Sequence, residues 1–237
     1  MSSNNLFIIG SESFVASHFI QKYSDNFTKI VGIDVKSEPS PLLDNYLQVD
    51  FLNDVYISKL HHFLQALNTN FSSILFTPGI NYMNDIFSIS SEEWENTYNV
   101  NLKSAVFILK ELLNYMSNTT SIVLVASQNG VVAHENRIDY GTSKSALIQL
   151  AKNLSVDFTH IKNKDIRINC LSPSYIENKN NQPYLKSAAG KKLLQKIPYR
   201  KFVTLNDTSN AISFLLSSKS KAMRGQNLIL DYGYTIV

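Results

Sequence analysis

The sequence predicts an α/β chain built on a single doubly wound parallel sheet of about seven strands. Short apolar runs alternate with helix-like segments over all 237 residues, and the runs are continuously apolar, as in strands covered on both faces. No Pro/Gly/Ser-rich linker, low-complexity tract or internal repeat interrupts the alternation, so residues 1–237 read as one domain. With 44% hydrophobic residues, a chain of this length can bury a sizeable core.

The elements follow in order. LFII at 6–9 reads as the first strand and 14–23 as the helix after it. KIVGID at 29–34 and YLQV at 46–49 read as two further strands, 54–69 as a helix and SILF at 73–76 as the fourth strand. A long helix is expected from about 91 to 116. Ser90 and Glu93 have the spacing of a capping box at its start, the acids sit at its positive end, and Trp94, Val100, Val106 and Leu113 supply an apolar face. IVLVA at 122–126, a helix over about 139–161, IRINCL at 166–171, a last helix and NLIL near the end complete the alternation.

The composition sets limits on function. A formal charge of +3, with Lys and Arg dispersed among acids, argues against nucleic-acid binding. The N-terminus has no basic stretch ahead of an apolar run of signal-peptide length, and no segment approaches a membrane span, so a soluble cytoplasmic protein is expected. The one cysteine, Cys170, reads as a buried structural thiol; neither a disulfide framework nor a metal site is expected.

Two regions carry chemistry. Gly10 closes the first strand just before a helix, where a dinucleotide fold sets pyrophosphate against free backbone N–H groups. A plain strand-to-helix turn is the alternative. Phe14 is bulky at this point and shields the helix end unless it turns inward and Ser11 and Ser13 take over the contact. Asp34 ends the second strand some two dozen residues later, where an acid accepts from adenosine ribose hydroxyls and repels a 2′-phosphate. That favours NAD(H) over NADP(H), with Lys36 as the one dissenting charge. Asp50 closes the third strand, as an adenine contact or as a cap for the helix that follows. After the fourth strand, Thr77-Pro78-Gly79 keeps a glycine for close backbone approach but loses one N–H at Pro78.

The second region holds Tyr140 and Lys144, a phenol and an ammonium at i and i+4 on one helical face. The ammonium is expected to lower the phenol toward the range useful for general acid–base catalysis. Tyr175 and Lys179 repeat the spacing outside any expected helix, and that match is read as accidental. The first match has a third group, because Ser127 ends the IVLVAS strand thirteen residues before Tyr140. A hydroxyl there faces the ligand crevice and can donate to an oxygen that gains charge. Gly141, Thr142, Ser143 and Ala146 are small enough for this helix to approach a cofactor closely.

These residues resemble the short-chain dehydrogenase/reductase family over about residues 6–235. The family's Thr-Gly-x-x-x-Gly-x-Gly is represented by Gly10, Phe14 and Ala16, and its Asn-Asn-Ala-Gly by Phe76-Thr77-Pro78-Gly79. Asn101 in YNVNLKSAVF, Ser127, Tyr140 and Lys144 match the family's catalytic set. IRINCLSPS echoes Arg-x-Asn-x-x-x-Pro-Gly, and Asp231-Tyr232-Gly233 stands for Asp-Gly-Gly. The resemblance implies a Rossmann-type fold. It also implies that Asn101 helps hold a water linking the lysine to solvent, and that Lys144 holds the nicotinamide ribose. Ser13, Phe14, Val15, Asp50, Phe51, Pro173 and Ile176 would join the cofactor cradle, with Ile176 contacting the nicotinamide carboxamide through its backbone. It further implies a homotetramer or homodimer.

Residues 177–200 fall where that family has a mobile substrate lid, and Lys186, Lys191, Lys192, Lys196 and Arg200 make the segment basic. This suits an anionic substrate, although a solvated surface helix is the commoner explanation of such a run. His134, Gln128 and Tyr175 suggest a polar substrate pocket. The expected activity is NAD(H)-dependent interconversion of a secondary alcohol and a ketone on a small polar, sugar-, polyol- or acid-like substrate. The alternatives are a 3-ketoacyl-carrier-type reductase and a non-catalytic dinucleotide-binding or scaffold protein.

Overall fold

Seven of the β-rich runs pair into one parallel sheet, in a computed structural model that describes residues 4–237. The N-terminal leader reading rests partly on Met1, Ser2 and Ser3, which lie outside the described residues. The strands and helices run β1 (Asn5–Ile9), α1 (Phe14–Tyr23), β2 (Lys29–Asp34), β3 (Asn45–Gln48), α2 (Tyr56–Leu67), β4 (Phe71–Phe76), α3 (Ser91–Tyr98), α4 (Ser104–Leu112), β5 (Met116–Val125), α5 (Ile138–Asp157) and β6 (Asp165–Pro173). They continue with β7 (Ile176–Glu177), α6 (Gln182–Lys186), α7 (Ala188–Lys196), β8 (Val203–Thr204), α8 (Leu205–Leu216) and β9 (Asn227–Leu230). The sheet order is β3-β2-β1-β4-β5-β6-β9, so the connections reverse direction between β1 and β4. Crevices at the carboxyl ends beside such a reversal are where open α/β sheets bind ligands.

Alternation along each strand divides the core in two. Phe7, Ile9, Ile33, Ile74 and Phe76 face one side with Leu60, Leu64, Ile108 and Leu147 from α2, α4 and α5. Leu6, Ile8, Leu75 and Val123 face the other side with Phe19, Ile20, Ile212 and Leu215 from α1 and α8. Each fully buried side chain of this kind contributes roughly 1.5–3 kcal/mol. No helix among the described residues is long and apolar enough to cross a membrane.

The long helix expected from about 91 to 116 is not continuous. Its capping box forms, with Glu93 N–H donating to Ser90 Oγ and Ser90 N–H to Glu93 Oε2. A π turn over Asn99–Lys103 then separates α3 from α4, and a 3-10 turn over Leu113–Tyr115 leads into β5, which starts at Met116. The wide turn shifts the helical phase. Thr97, Val100, Asn101, Ala105, Ile108 and Leu112 are buried, whereas Trp94 is exposed and Val106 is only half-buried; of the expected apolar face, Val100 is buried and half-buried Leu113 packs against the core.

The 177–200 segment folds as two short helices, α6 and α7, beside a two-stranded parallel pair, β7–β8, that the sequence did not suggest. Lys186, Lys191, Lys192, Lys196 and Arg200 are exposed, while Leu185, Leu193 and Ile197 turn inward. The basic residues therefore form a solvated outer face, the second of the two expectations for this segment.

Candidate active site

The site begins where β1 and β4 end side by side. Gly10 has φ +74°, a conformation that favours glycine, and a Cβ there would lie 2.7 Å from Thr77 Oγ1 and 3.1 Å from Pro78 Cδ. Thr77 Oγ1 lies 2.7 Å from the Gly10 carbonyl and 2.8 Å from Ser13 Oγ, and Ser13 Oγ caps α1 by accepting from Ala16 N–H at 3.2 Å. One hydroxyl proton apiece gives a directed chain: Ala16 N–H to Ser13, Ser13 to Thr77, Thr77 to Gly10. Thr77 is thus a lock on the turn as well as a departure from the usual amide. Ser11 is fully buried and bonded to Glu12 Oε1, so it takes no part in the cleft as the sequence reading had allowed.

A cleft of about 480 Å³ opens along these strand ends, lined by Gly10, Ser13, Phe14, Asp34, Asp50, Phe51, Thr77, Pro78 and Gly79. Its size is that of a ligand site, typically about 300–1,000 Å³. Phe14 is 46% exposed and forms a wall of the cleft without filling it. The first-turn N–H groups of Phe14 and Val15 have no intrahelical acceptor, so the helix end still presents donors to an anion. Asp34 is buried; its Oδ2 accepts from Glu12 N–H at 2.9 Å and its Oδ1 from Lys36 N–H at 3.1 Å, and each oxygen keeps a lone pair for a further donor. Lys36 Nζ reaches the Glu12 carbonyl at 2.8 Å. Asp50 is exposed and accepts from Leu52 N–H at 2.9 Å. Because α2 begins only at Tyr56, Asp50 does not cap it. Phe51 is buried edge-on against Tyr56. The residues present fit a dinucleotide: donors at the helix end, an acid where ribose hydroxyls belong, and an open cleft between.

The catalytic candidates meet at the carboxyl ends of β4, β5 and β6. Ser127 follows β5 and caps a 3-10 turn over Gln128–Gly130, its Oγ accepting from Asn129 N–H at 3.2 Å. Gly130 lets that turn lie on α5, since a Cβ there would stand 2.7 Å from the Lys144 carbonyl carbon. Lys144 is 2% exposed, and its Nζ donates to the carbonyls of Pro78 at 3.1 Å and Val125 at 3.0 Å. Gly79 makes room for it: an added Cβ would lie 3.1 Å from Nζ. The glycine's close approach therefore serves the lysine.

Tyr140 is half-buried, with the Lys144 ammonium 5.7 Å from its ring centroid. Burial pushes the phenol up from its ordinary pKa, against a smaller downward pull from the Ser127 hydroxyl and the Arg137 charge. The expected lowering by Lys144 is absent in this state, because desolvation dominates and Lys144 is not among the causes. Desolvation also brings Lys144 down to about 8.

Asn101 is fully buried inside the π turn and acts as a clamp. Its Oδ1 accepts from Ile80 N–H at 2.8 Å, and its Nδ2 donates to the Ile80 carbonyl at 3.1 Å and to Ser143 Oγ at 3.0 Å. It ties the segment after Gly79 to α5, one residue before Lys144. Gly141 packs on the Asn129 carbonyl and Ser143 on Asn101, so these small residues serve contacts within the protein. Ser143 was not recognised in sequence as a partner, because that contact spans 42 residues.

Tyr175 lies outside any helix, at the base of the 177–200 segment, and pairs with His134 at 2.5 Å instead of with Lys179. His134 Nδ1 faces the Glu135 carbonyl at 2.8 Å, so that nitrogen carries the proton and Nε2 accepts from the Tyr175 hydroxyl. Tyr175 also packs edge-on against Tyr234 near the chain end. Gln128 is buried, and its side-chain oxygen has no partner. Pro173 closes β6, and the Ile176 carbonyl accepts from Asn181 Nδ2 at 2.7 Å. Cys170 is buried beside Lys144, its thiol pushed up to about 12 by desolvation.

Comparison with known proteins agrees with this architecture. A family model described as enoyl-(acyl carrier protein) reductase matches residues 47–235. A 3-oxoacyl-[acyl-carrier-protein] reductase of Buchnera aphidicola is 25% identical over 236 residues, covering 95% of each chain. An NAD-dependent glycerol dehydrogenase of Listeria innocua is 23% identical, covering 97% of this chain and 92% of its own. A solved short chain dehydrogenase family protein from Francisella tularensis, 24% identical, covers 100% of both chains with a TM-score of 0.88.

Proposed function

The chain belongs to the short-chain dehydrogenase/reductase family of oxidoreductases acting on CH–OH and C=O groups, and from that premise we propose an NAD(H)-dependent enzyme that interconverts a secondary alcohol and a ketone on a small polar substrate. The observation that carries the reading is the convergence of Ser127, Tyr140 and Lys144, held together by the close approaches at Gly79 and Gly130.

Phe14 and Val15 N–H would hold the pyrophosphate, Asp34 the adenosine ribose, and Asp50 and Phe51 would border the adenine. Lys144 uses two of its three N–H donors on carbonyls, and the third is the one for the nicotinamide ribose. Pro173 and Ile176 would flank the nicotinamide. Bound NAD(H) supplies hydride transfer to or from the carbinol carbon. Tyr140 gives its proton to the carbonyl oxygen in reduction and takes it back in oxidation. Ser127 donates to the same oxygen as charge develops on it. A phenol held protonated by burial is the form that reduction needs. Asn101 fixes Ser143 and the backbone beside Lys144, and so positions the lysine.

Asp34 supports NAD(H) over NADP(H), since its buried carboxylate would face a 2′-phosphate. A 3-ketoacyl-carrier-type reductase is the second reading, favoured by the likeness to the Buchnera reductase. A cytoplasmic homotetramer or homodimer belongs to the same proposal.

The test is a titration with NADH and NADPH, followed by a panel of polyols, sugars, hydroxy acids and ketoacyl thioesters read by nicotinamide absorbance. Tighter NADH binding with turnover of a small polar alcohol or ketone is expected. Exclusive turnover of ketoacyl thioesters would select the second reading, and failure to bind either nucleotide would reject both.

A further inference from the structure

Arg137 is the N-cap residue immediately before α5, three positions ahead of Tyr140. It lines a cavity of about 470 Å³ with Asn129 and His134. Two of its lining residues are bonded to residues of the site: Asn129 N–H to Ser127 Oγ, and His134 to Tyr175.

Its guanidinium is poorly satisfied. Nη1 donates to the neighbouring Asn136 carbonyl at 2.6 Å, while Nε is buried without a partner. Among the described residues Arg137 makes no ion pair, although three carboxylates stand close in the sequence or line the same cavity. Asp85 spends its Oδ1 on the N–H groups of Phe87 and Ser88 and on the Ser88 hydroxyl. Asp139 is fully buried and accepts from Thr97 at 2.6 Å, and Glu135 is exposed. A fork of donors that makes no ion pair with any described residue can take an external anion. Arg137 is close enough for its charge to be felt at both Tyr140 and Tyr175.

Resting on the oxidoreductase reading above, we propose that Arg137 recognises an anionic group, a carboxylate or a phosphate, on the alcohol or ketone that Tyr140 protonates. His134, bonded to Tyr175, lines the same pocket. The exposed lysines of residues 177–200 are not needed for this selectivity.

The test compares matched substrates: each hydroxy acid against its amide, and each sugar or polyol phosphate against the free alcohol. The native protein, Arg137→Gln and Arg137→Lys are assayed with NAD(H), and thermal unfolding checks that each variant is folded. The ratio of kcat/KM for the charged member to that for the neutral member should fall about tenfold to a hundredfold in Arg137→Gln, the loss of one charge-assisted contact, and should be partly kept in Arg137→Lys. The arm that shows the fall identifies carboxylate or phosphate. An equal ratio in all three proteins, or preference for the neutral member in both arms, overturns the proposal and leaves the oxidoreductase reading standing. If nothing is turned over, that reading fails. Thermal shifts of the NADH-mixed proteins with the same pairs then decide: stabilisation by the charged member only when Arg137 is present supports the anion site, and its absence rejects it.

Discussion

Gly79 lies directly against the ammonium of Lys144: a Cβ at residue 79 would stand 3.1 Å from Nζ. In sequence the glycine looked like part of a cofactor cradle. In the fold it is the space into which the lysine extends to reach the Pro78 carbonyl.

Gly79→Ala should therefore act on catalysis more than on folding. The obstructed atom is the end of a flexible side chain, so a shift of a few tenths of an ångström absorbs the methyl group while misplacing the ammonium. A fall in kcat of about tenfold with little change in Tm is expected. Unchanged kcat would show that the lysine position is not critical.

Lys144 burial has a pH signature. Its pKa falls to about 8 in the folded protein from an ordinary 10.5, so between those values the unfolded chain holds a proton that the folded protein has released. Stability from this group is therefore least at neutral pH and rises as pH climbs from 8 toward 10.5. Relative to Lys144→Met, which lacks the group, the native protein should gain up to about 3 kcal/mol across that window. Denaturant unfolding of both proteins at several pH values measures it; a constant difference would contradict a lowered lysine pKa.

Asp34→Asn should move cofactor preference. The amide oxygen can replace one of the two contacts to Glu12 and Lys36 N–H, so the turn survives, while the charge opposing a 2′-phosphate is gone and Lys36 remains. The NADPH-to-NADH affinity ratio should rise about tenfold, equivalent to about 1.4 kcal/mol. An unmoved ratio would remove Asp34 from the determinants of preference.

The parts of this site that were legible in sequence are those written locally. Tyr140 and Lys144 share a helix face, Ser127 ends a strand, and the Ser90–Glu93 capping box spans one turn. What stayed hidden depends on residues far apart in the chain. Asn101 was singled out, but its grip on Ile80 and Ser143 and the π turn that carries it were not, because a wide turn leaves no periodicity of its own and shifts the phase that follows. Thr77 and Pro78 read as erosion of a motif; the structure makes Thr77 a lock on Gly10 and the Pro78 carbonyl an anchor for Lys144. The direction of the Tyr140 shift was misjudged because spacing reveals a nearby charge but not the depth of burial that outweighs it. Arg137 was not singled out in sequence, since the lack of a partner for its Nε is visible only when every neighbour is placed.

The most direct test of the account is single-turnover kinetics of Tyr140→Phe with NADH and a ketone accepted by the native protein, alongside NADH binding measured by fluorescence. Removing one hydroxyl leaves the ring and its packing, so NADH affinity should be retained while hydride transfer falls by about a hundredfold or more, the scale of a lost general acid. Native rates of NADH oxidation in the variant would contradict the assignment of Tyr140 as the proton donor.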